Sequence, residues 1–242
     1  MLIGVRPKMV VNRVRDFLLS RLGDDTVHYV QVGANDGLMD DPVYKIAEAR
    51  NWSGVLIEPN PTYFSELSKR YKGRNNFTLV NCGVSDKTGT LKLHHLSKTG
   101  ETKYPEWAKG CATLDKTRLE TVLSGVAAPE DDDIESTDIK VRTLSSILKA
   151  EKIKTTDLLV VDVEGHEMAV LKGATLSKIK PKAILIESNG KDEKEDAQIR
   201  AHLSKAGYTL HRMGDDIFGY SEDFPAITPE EMMELIGLQK VS

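Results

Sequence analysis

The segment DVEGHE (162–167) sets Asp162, Glu164, His166 and Glu167 within six residues. The apolar run DLLVVDV (157–163) around its start reads as a buried strand of a parallel sheet. On that strand Asp162 and Glu164, two apart, point to one side. Gly165 then allows a turn, and His166 and Glu167 open the next helix. Carboxylates at the C-terminal mouth of a parallel sheet lie where ligands bind. They can orient a hydroxyl and take its proton, and a positioned base is worth roughly two to four orders of magnitude in rate. Asp162 is expected nearest the reacting centre, with Glu164 orienting the hydroxyl. His166 is the other candidate base, because its ordinary pKa lies near neutrality. A structural rival makes His166 a helix-start residue and Glu164 a cap for nearby N–H groups. Glu187 and Asn189 close the next apolar run, KAILIES (182–188). With Asp162 they could form a magnesium triad, but hydrogen bonds to hydroxyls would use the same residues, and no metal is assigned. His94 and His95 are sequential on an expected strand, face opposite sides and make a poor metal pair.

A second constellation starts at VQVGANDG (30–37). Gly33 and Gly37 let the backbone turn sharply and approach a ligand closely, and a following helix near Asp41–Pro42 presents free N–H groups. The loop is not G-x-G-x-x-G, so the pyrophosphate fingerprint is not met. It can hold a compact zwitterion such as S-adenosyl-L-methionine, with Asp36 facing the amino group or sulfonium region; a plain tight turn is its rival. Glu58 ends GVLIE, 21 positions after Gly37, near the offset at which an acidic residue meets ribose hydroxyls. Pro59 biases it towards an extended conformation at the strand tip. A solvated strand-end glutamate is the alternative, but the two features together favour a nucleoside cofactor. NCGVSDKTG (81–89) follows a third strand, where Ser85 and Asp86 could meet a base edge; a simple aspartate turn explains Asp86 as well.

These groups need a frame of parallel strands joined by crossover helices. Strands are read at 27–32, 52–58, 76–82, 157–163 and 182–188. A helix is read over Met9–Leu22, another around Lys194–Lys205, and a closing antiparallel hairpin over 207–221. The stretch from about His95 to Thr137 breaks the rhythm and is expected to be an irregular, lid-like insertion. Its acidic run PEDDDIES could instead be a solvated disordered segment. Tyr104 and Trp107 offer flat faces for a sugar ring, and Lys103, Lys109 and Arg118 could meet hydroxyls or an anion; alternatively Trp107 only anchors the loop. In the tail, Thr228, Pro229 and Glu231 read as a capping box, with Met232, Leu235 and Ile236 as an apolar face.

The chain has 242 residues, enough for one α/β domain spanning 1–242. Its 33 basic and 37 acidic side chains give a formal charge of −4. No long basic stripe appears, so nucleic acid is not expected as a partner. Cys82 and Cys111 form no C-x-x-C pair, which argues against a disulfide framework or zinc site. The apolar N-terminal run is too short for a secretion signal and no segment approaches the roughly 20 apolar residues of a membrane span. A cytoplasmic protein is the expectation; oligomeric state is not legible.

VQVGANDG, GVLIEPNPTYFSEL, VNCGVSDKTGTLKL, GCATL, VRTLSSIL and DVEGHEMAVLKGA, in this order between about Tyr29 and Asn189, resemble the FkbM family of methyltransferases. The resemblance implies a class I, Rossmann-like α/β fold, a mostly parallel seven-stranded sheet with helices on both faces. It also implies S-adenosyl-L-methionine as cofactor and O-methylation of a hydroxyl on a sugar, glycan or secondary metabolite. Gly33, Ala34, Asn35, Asp36 and Gly37 match the family's cofactor loop, Glu58, Pro59 and Asn60 its E-P-N ribose motif, and Asp162, Glu164 and Gly165 its D-x-E-G motif. The acidic stretch around Glu130–Ser136 departs from the family, so the acceptor does not carry over. Two other readings remain: a protein or RNA methyltransferase, against which stands the absence of an Asn/Asp-Pro-Pro-aromatic site, and an interaction module without turnover, against which stands the acidic cluster.

Overall fold

The computed structural model describes residues 17–18, 21–22, 26–39, 41, 43–188, 193–213 and 215–231. The first helix expected over Met9–Leu22 is described at Phe17, Leu18, Arg21 and Leu22 alone, each helical. Asn189, Pro42 and the tail face of Met232, Leu235 and Ile236 lie outside the described residues.

Alternating apolar runs and helical segments build the main sheet. β1 (His28–Val32), β2 (Ser53–Ile57), β3 (Phe77–Val80), β7 (Leu158–Val161) and β8 (Ala183–Glu187) pair in parallel, and β9 (Thr209–Met213) and β10 (Asp216–Tyr220) close it antiparallel. The order is β3-β2-β1-β7-β8-β10-β9, so the expected mostly parallel seven-stranded sheet forms. The period of two along each strand divides the core between its faces. On β1, Tyr29 packs with Trp52, Leu67 and the buried faces of α1 (Tyr44–Ala49) and α2 (Pro61–Arg70). Val30 and Val32 pack on the other face, against α5 (Leu144–Ala150), α6 (Glu167–Gly173), α7 (Leu176–Ile179) and α8 (Glu193–Lys205). Helices therefore cover both faces, as a sheet buried on both sides requires. Among the described residues no helix is long and apolar enough to cross a membrane.

Residues 95–137 are not irregular. β5 (Gly89–Leu96) and β6 (Ile134–Arg142) pair antiparallel, and the short β4 (Gly83–Val84) joins β6 to make a second, three-stranded sheet. Between β5 and β6 run α3 (Lys98–Lys103), a 3₁₀ turn (Glu106–Cys111) and α4 (Lys116–Ser124). Each is too short for a periodic signal, which is why the sequence reads as loop. They form a core of their own from Leu96, Tyr104, Ala108, Cys111, Leu119, Val122 and Leu123. The acidic run is anchored at Asp133, whose carboxylate accepts from Lys103 Nζ at 2.6 Å and from the Tyr104 hydroxyl at 3.3 Å. Tyr104 and Lys103 are thus anchors of the insertion, not a ring platform and a free cation for an acceptor. In the tail Thr228 and Glu231 exchange the two bonds of the capping box, at 2.9 and 3.2 Å.

Because the insertion carries a separate core, it should open without the main sheet. Leu119→Ala empties a fully buried site and is expected to cost roughly 2–5 kcal/mol. Hydrogen exchange should show protection falling over 98–124 while β1 and β7 keep theirs. A uniform fall across both sheets would contradict it.

Candidate functional site

β1, β2, β7 and β8 all run the same way, so their C-terminal tips share one edge, and the chain reverses its winding between β1 and β7. Such a switch point leaves a crevice for a ligand. A cavity of about 230 Å³ lies there. Gly33, at φ +86°, sits so close to β7 that a Cβ would lie 1.7 Å from the Asp162 carbonyl oxygen. Only glycine fits that approach. Asn35 adopts φ +48°, and its N–H donates to Glu58 Oε2 at 2.8 Å. The Asn60 N–H donates to Glu58 Oε1 at 2.7 Å. The β2 tip is thereby locked to the loop after β1. Burial pushes the Glu58 carboxyl up to about 7, against the pull of those two N–H groups.

Gly33, Asn35, Glu58 and Pro59 line the cavity, and the other expected cofactor-loop residues do not. Asp36 Oδ1 accepts the Leu38 and Met39 N–H groups and Oδ2 pairs with Arg70 at 3.2 Å, so its carboxylate caps the loop instead of facing a bound amine. A Cβ on Gly37 would meet Leu67 Cδ1 at 2.6 Å, which makes it a packing glycine against α2. Ala34 is a buried core residue. Asn60 caps α2 by accepting from Thr62 N at 2.9 Å. Beyond β3, the cavity wall is Cys82, Gly83 and Val84, not Ser85 and Asp86. Ser85 turns inward and its hydroxyl meets His166 Nε2 at 2.9 Å and Asp86 at 3.3 Å.

At the β7 and β8 tips the acidic residues do converge. Carboxylate oxygens of Asp162, Glu164 and Glu187 lie within 4.8 Å of one another, and all three side chains line the cavity. The reason differs from simple strand alternation: β7 ends at Val161 and Glu164 has φ +55°, a left-handed residue outside the strand. Its carbonyl is held by the Thr113 hydroxyl at 2.7 Å. Glu167 supplies the N–H cap assigned by the rival reading to Glu164, accepting from Val163 and Gly165 at 3.1 Å. Burial raises Glu167 to about 7. His166 stands at the start of α6 and lines the cavity; burial lowers its pKa, against the opposing charge of Asp86. The three carboxylates have the spacing for a divalent cation, but Arg118 already stands 3.0 Å from Glu164 and 3.6 Å from Glu187, and no metal is assigned.

From the insertion, Trp107 is half-buried and lines the cavity beside Cys111, Thr113 and Val122. Lys109 is paired loosely with Glu101 and Glu106, at 3.8 and 3.9 Å. Residues that sequence reasoning did not single out also face the space: Met39, Tyr63, Thr113 and Asp215. Tyr63, which follows the E-P-N motif within α2, and Thr113, within the GCATL segment, each carry a local signal. The others reach the cavity through tertiary packing alone.

Fit to S-adenosyl-L-methionine can be tested on the donor set. The β2 tip offers a buried carboxylate for a ribose diol, and the loop at Gly33 offers close-approach backbone. At the usual strand spacing the β2 and β7 tips are roughly 10 Å apart, which separates a ribose site from the acidic trio. The residues fit the group.

The family model described as the methyltransferase FkbM domain matches residues 31–210. Among solved structures, a methyltransferase FkbM from Methylobacillus flagellatus KT is similar at 17% identity with a TM-score of 0.51, covering 81% of this chain and 44% of that one. The chain thus spans less than half the length of that relative, and the likeness concerns the fold. A precorrin-6y C5,15-methyltransferase from Geobacter metallireducens GS-15 is similar at 12% identity and a TM-score of 0.44, covering 90% of each chain. No curated protein matches the sequence.

The raised Glu167 carboxyl makes a stability prediction. Its folded pKa of about 7 exceeds the ordinary 4.5, so its contribution is fully present below pH 4.5 and is lost as pH rises through about 7. Glu167→Gln keeps an oxygen for the same N–H groups but does not titrate. Its Tm minus that of the parent should become more positive from pH 5 to pH 8. A constant offset would show that Glu167 ionises in the ordinary range.

Proposed function

The chain belongs to the FkbM methyltransferase family, whose cofactor is S-adenosyl-L-methionine, and from that premise we propose that it methylates a hydroxyl oxygen of a sugar or glycan acceptor. The observation that carries this is the gathering of Asp162, Glu164 and Glu187 within 4.8 Å on the wall of the same cavity that Glu58 lines. Clustered acceptors of this kind suit a ligand with several adjacent hydroxyls. A small acceptor rather than nucleic acid agrees with the formal charge of −4.

When bound, S-adenosyl-L-methionine supplies an electrophilic methyl group on a sulfonium sulfur. Glu58 would accept the ribose hydroxyls, and Gly33 and Asn35 would hold the methionine portion through backbone contacts. Asp162, at the tip of β7, would take the proton of the acceptor hydroxyl as its oxygen forms the new bond to carbon. Glu164 and Glu187 would orient neighbouring hydroxyls. Trp107 would cover the acceptor, excluding water. The Ser85 contact turns His166 Nε2 inward, so Asp162 is preferred over His166 as the base. A non-sugar metabolite alcohol is the second reading, favoured by the apolar wall of Leu114, Val122 and Trp107.

Two variants and an acceptor panel test this. Glu58→Ala should abolish cofactor binding by calorimetry with the fold intact; affinity within about twofold of the parent would refute the ribose assignment. Asp162→Asn should bind cofactor like the parent, yet turn over at least a hundredfold more slowly, the range a positioned base supplies. Mass spectrometry across sugars, glycosides and non-sugar alcohols should find a 14 Da gain, the mass of one CH₂, among the carbohydrates. Products confined to the non-sugar alcohols would select the second reading.

A further inference from the structure

Arg118 belongs to α4 of the insertion, yet its guanidinium enters the acidic end of the cavity in the main sheet. It donates to Glu164 Oε2 at 3.0 Å and stands 3.6 Å from Glu187 Oε2. Glu164 follows β7 and Glu187 ends β8, and nothing local in sequence brings their carboxylates together. We infer that Arg118 is a positioning residue: one guanidinium nitrogen, Nη2, lies between Glu164 and Glu187 and holds them side by side for the acceptor.

Several independent features support this. Carboxylates within 4.8 Å of one another repel when charged, and a guanidinium nitrogen lying between two of them offsets that repulsion. Gly165, between Glu164 and His166, leaves room for it: a Cβ there would lie 2.8 Å from Arg118 Cδ and 3.1 Å from Nε. The glycine of D-x-E-G therefore makes space for an arginine from another element. Arg118 is itself fixed. Its N–H and that of Thr117 are capped by Asp115 at 3.3 and 3.0 Å, and the adjacent Leu119 is fully buried. The same segment holds the Glu164 backbone through Thr113. Burial opposes the Arg118 charge, but Glu164 and Glu187 outweigh it and hold the guanidinium above its ordinary range. The charged and titratable groups around it are Asp162, Glu164, Glu167 and Glu187, with the Cys111 thiol on the insertion side.

The inference rests on the proposed function only in naming the ligand as an acceptor, and its test needs neither acceptor nor methyl donor. Glutamate side-chain carboxyls are labelled with ¹³C in the full chain, assigned with Glu164→Gln and Glu187→Gln, and titrated from pH 3 to 9. In Arg118→Gln both Glu164 and Glu187 should rise by about one pH unit or more, a tenfold change in proton affinity. Arg118→Lys keeps a positive charge at the same position, so there both should rise by less than in Arg118→Gln. An arginine that only packs would lower Tm and leave both titrations in place. Should Arg118→Gln fail to fold, Arg118→Met, which also removes the charge, decides in its place. Unchanged titration of both glutamates in a folded Gln or Met variant overturns the inference, while absence of carbohydrate methylation would overturn the proposed function and leave this result standing.

Discussion

The whole site depends on how closely the loop after β1 approaches the tip of β7. Parallel pairing of β1 with β7 carries Asp162 N–H onto the Val32 carbonyl at 3.0 Å, and the next residue, Gly33, crosses against the Asp162 carbonyl with no room for a side chain. This contact fixes the switch point of the sheet. On one side of it lies Glu58, tied to Asn35 and Asn60; on the other lie the carboxylates of the β7 and β8 tips. A cavity between them follows from topology, since the crossovers leave β1 and β7 in opposite directions around the sheet.

Two ways of managing buried negative charge stand side by side here. Glu58 and Glu167 are surrounded by backbone N–H donors, yet burial wins and raises both towards neutrality. Their geometry is rigid and their charge is titratable. Asp162, Glu164 and Glu187 are partly exposed and share the field of Arg118. A guanidinium remains charged throughout the physiological range, so this end of the cavity carries a fixed positive charge among its carboxylates.

The second sheet and its helices add a further wall to a generic crevice. The insertion contributes Trp107, Thr113 and Arg118 to the wall while resting on its own core. Its polar anchors, Lys103, Tyr104 and Asp133, lie in that core's support. Residues that look alike in sequence, such as Tyr104 and Trp107 or Lys103 and Arg118, therefore serve different ends: the first of each pair secures the insertion and the second faces the site.

Sequence alone determined whatever depends on short-range pattern. Apolar runs at 157–163 and 182–188 announced buried parallel strands, Gly33 announced a backbone that must pass closely, and Glu58 before Pro59 announced a carboxylate at a strand tip. The acidic motif at 162–167 pointed to the mouth of the sheet for the same local reason. Tertiary structure decided which of these side chains meet. Asp36 and Gly37 sit in the same loop as Gly33 but turn to Arg70 and Leu67, because α2 packs beneath that loop. Ser85 turned to His166, and residues 95–137 became ordered because short helices gain stability from a shared core rather than from periodicity. Glu187 reaches Asp162 through strand register, and Arg118 reaches both glutamates across a gap of 46 residues or more. Local pattern records how a residue faces its own element; only the packing of distant elements sets which charges stand within a few ångströms of one another.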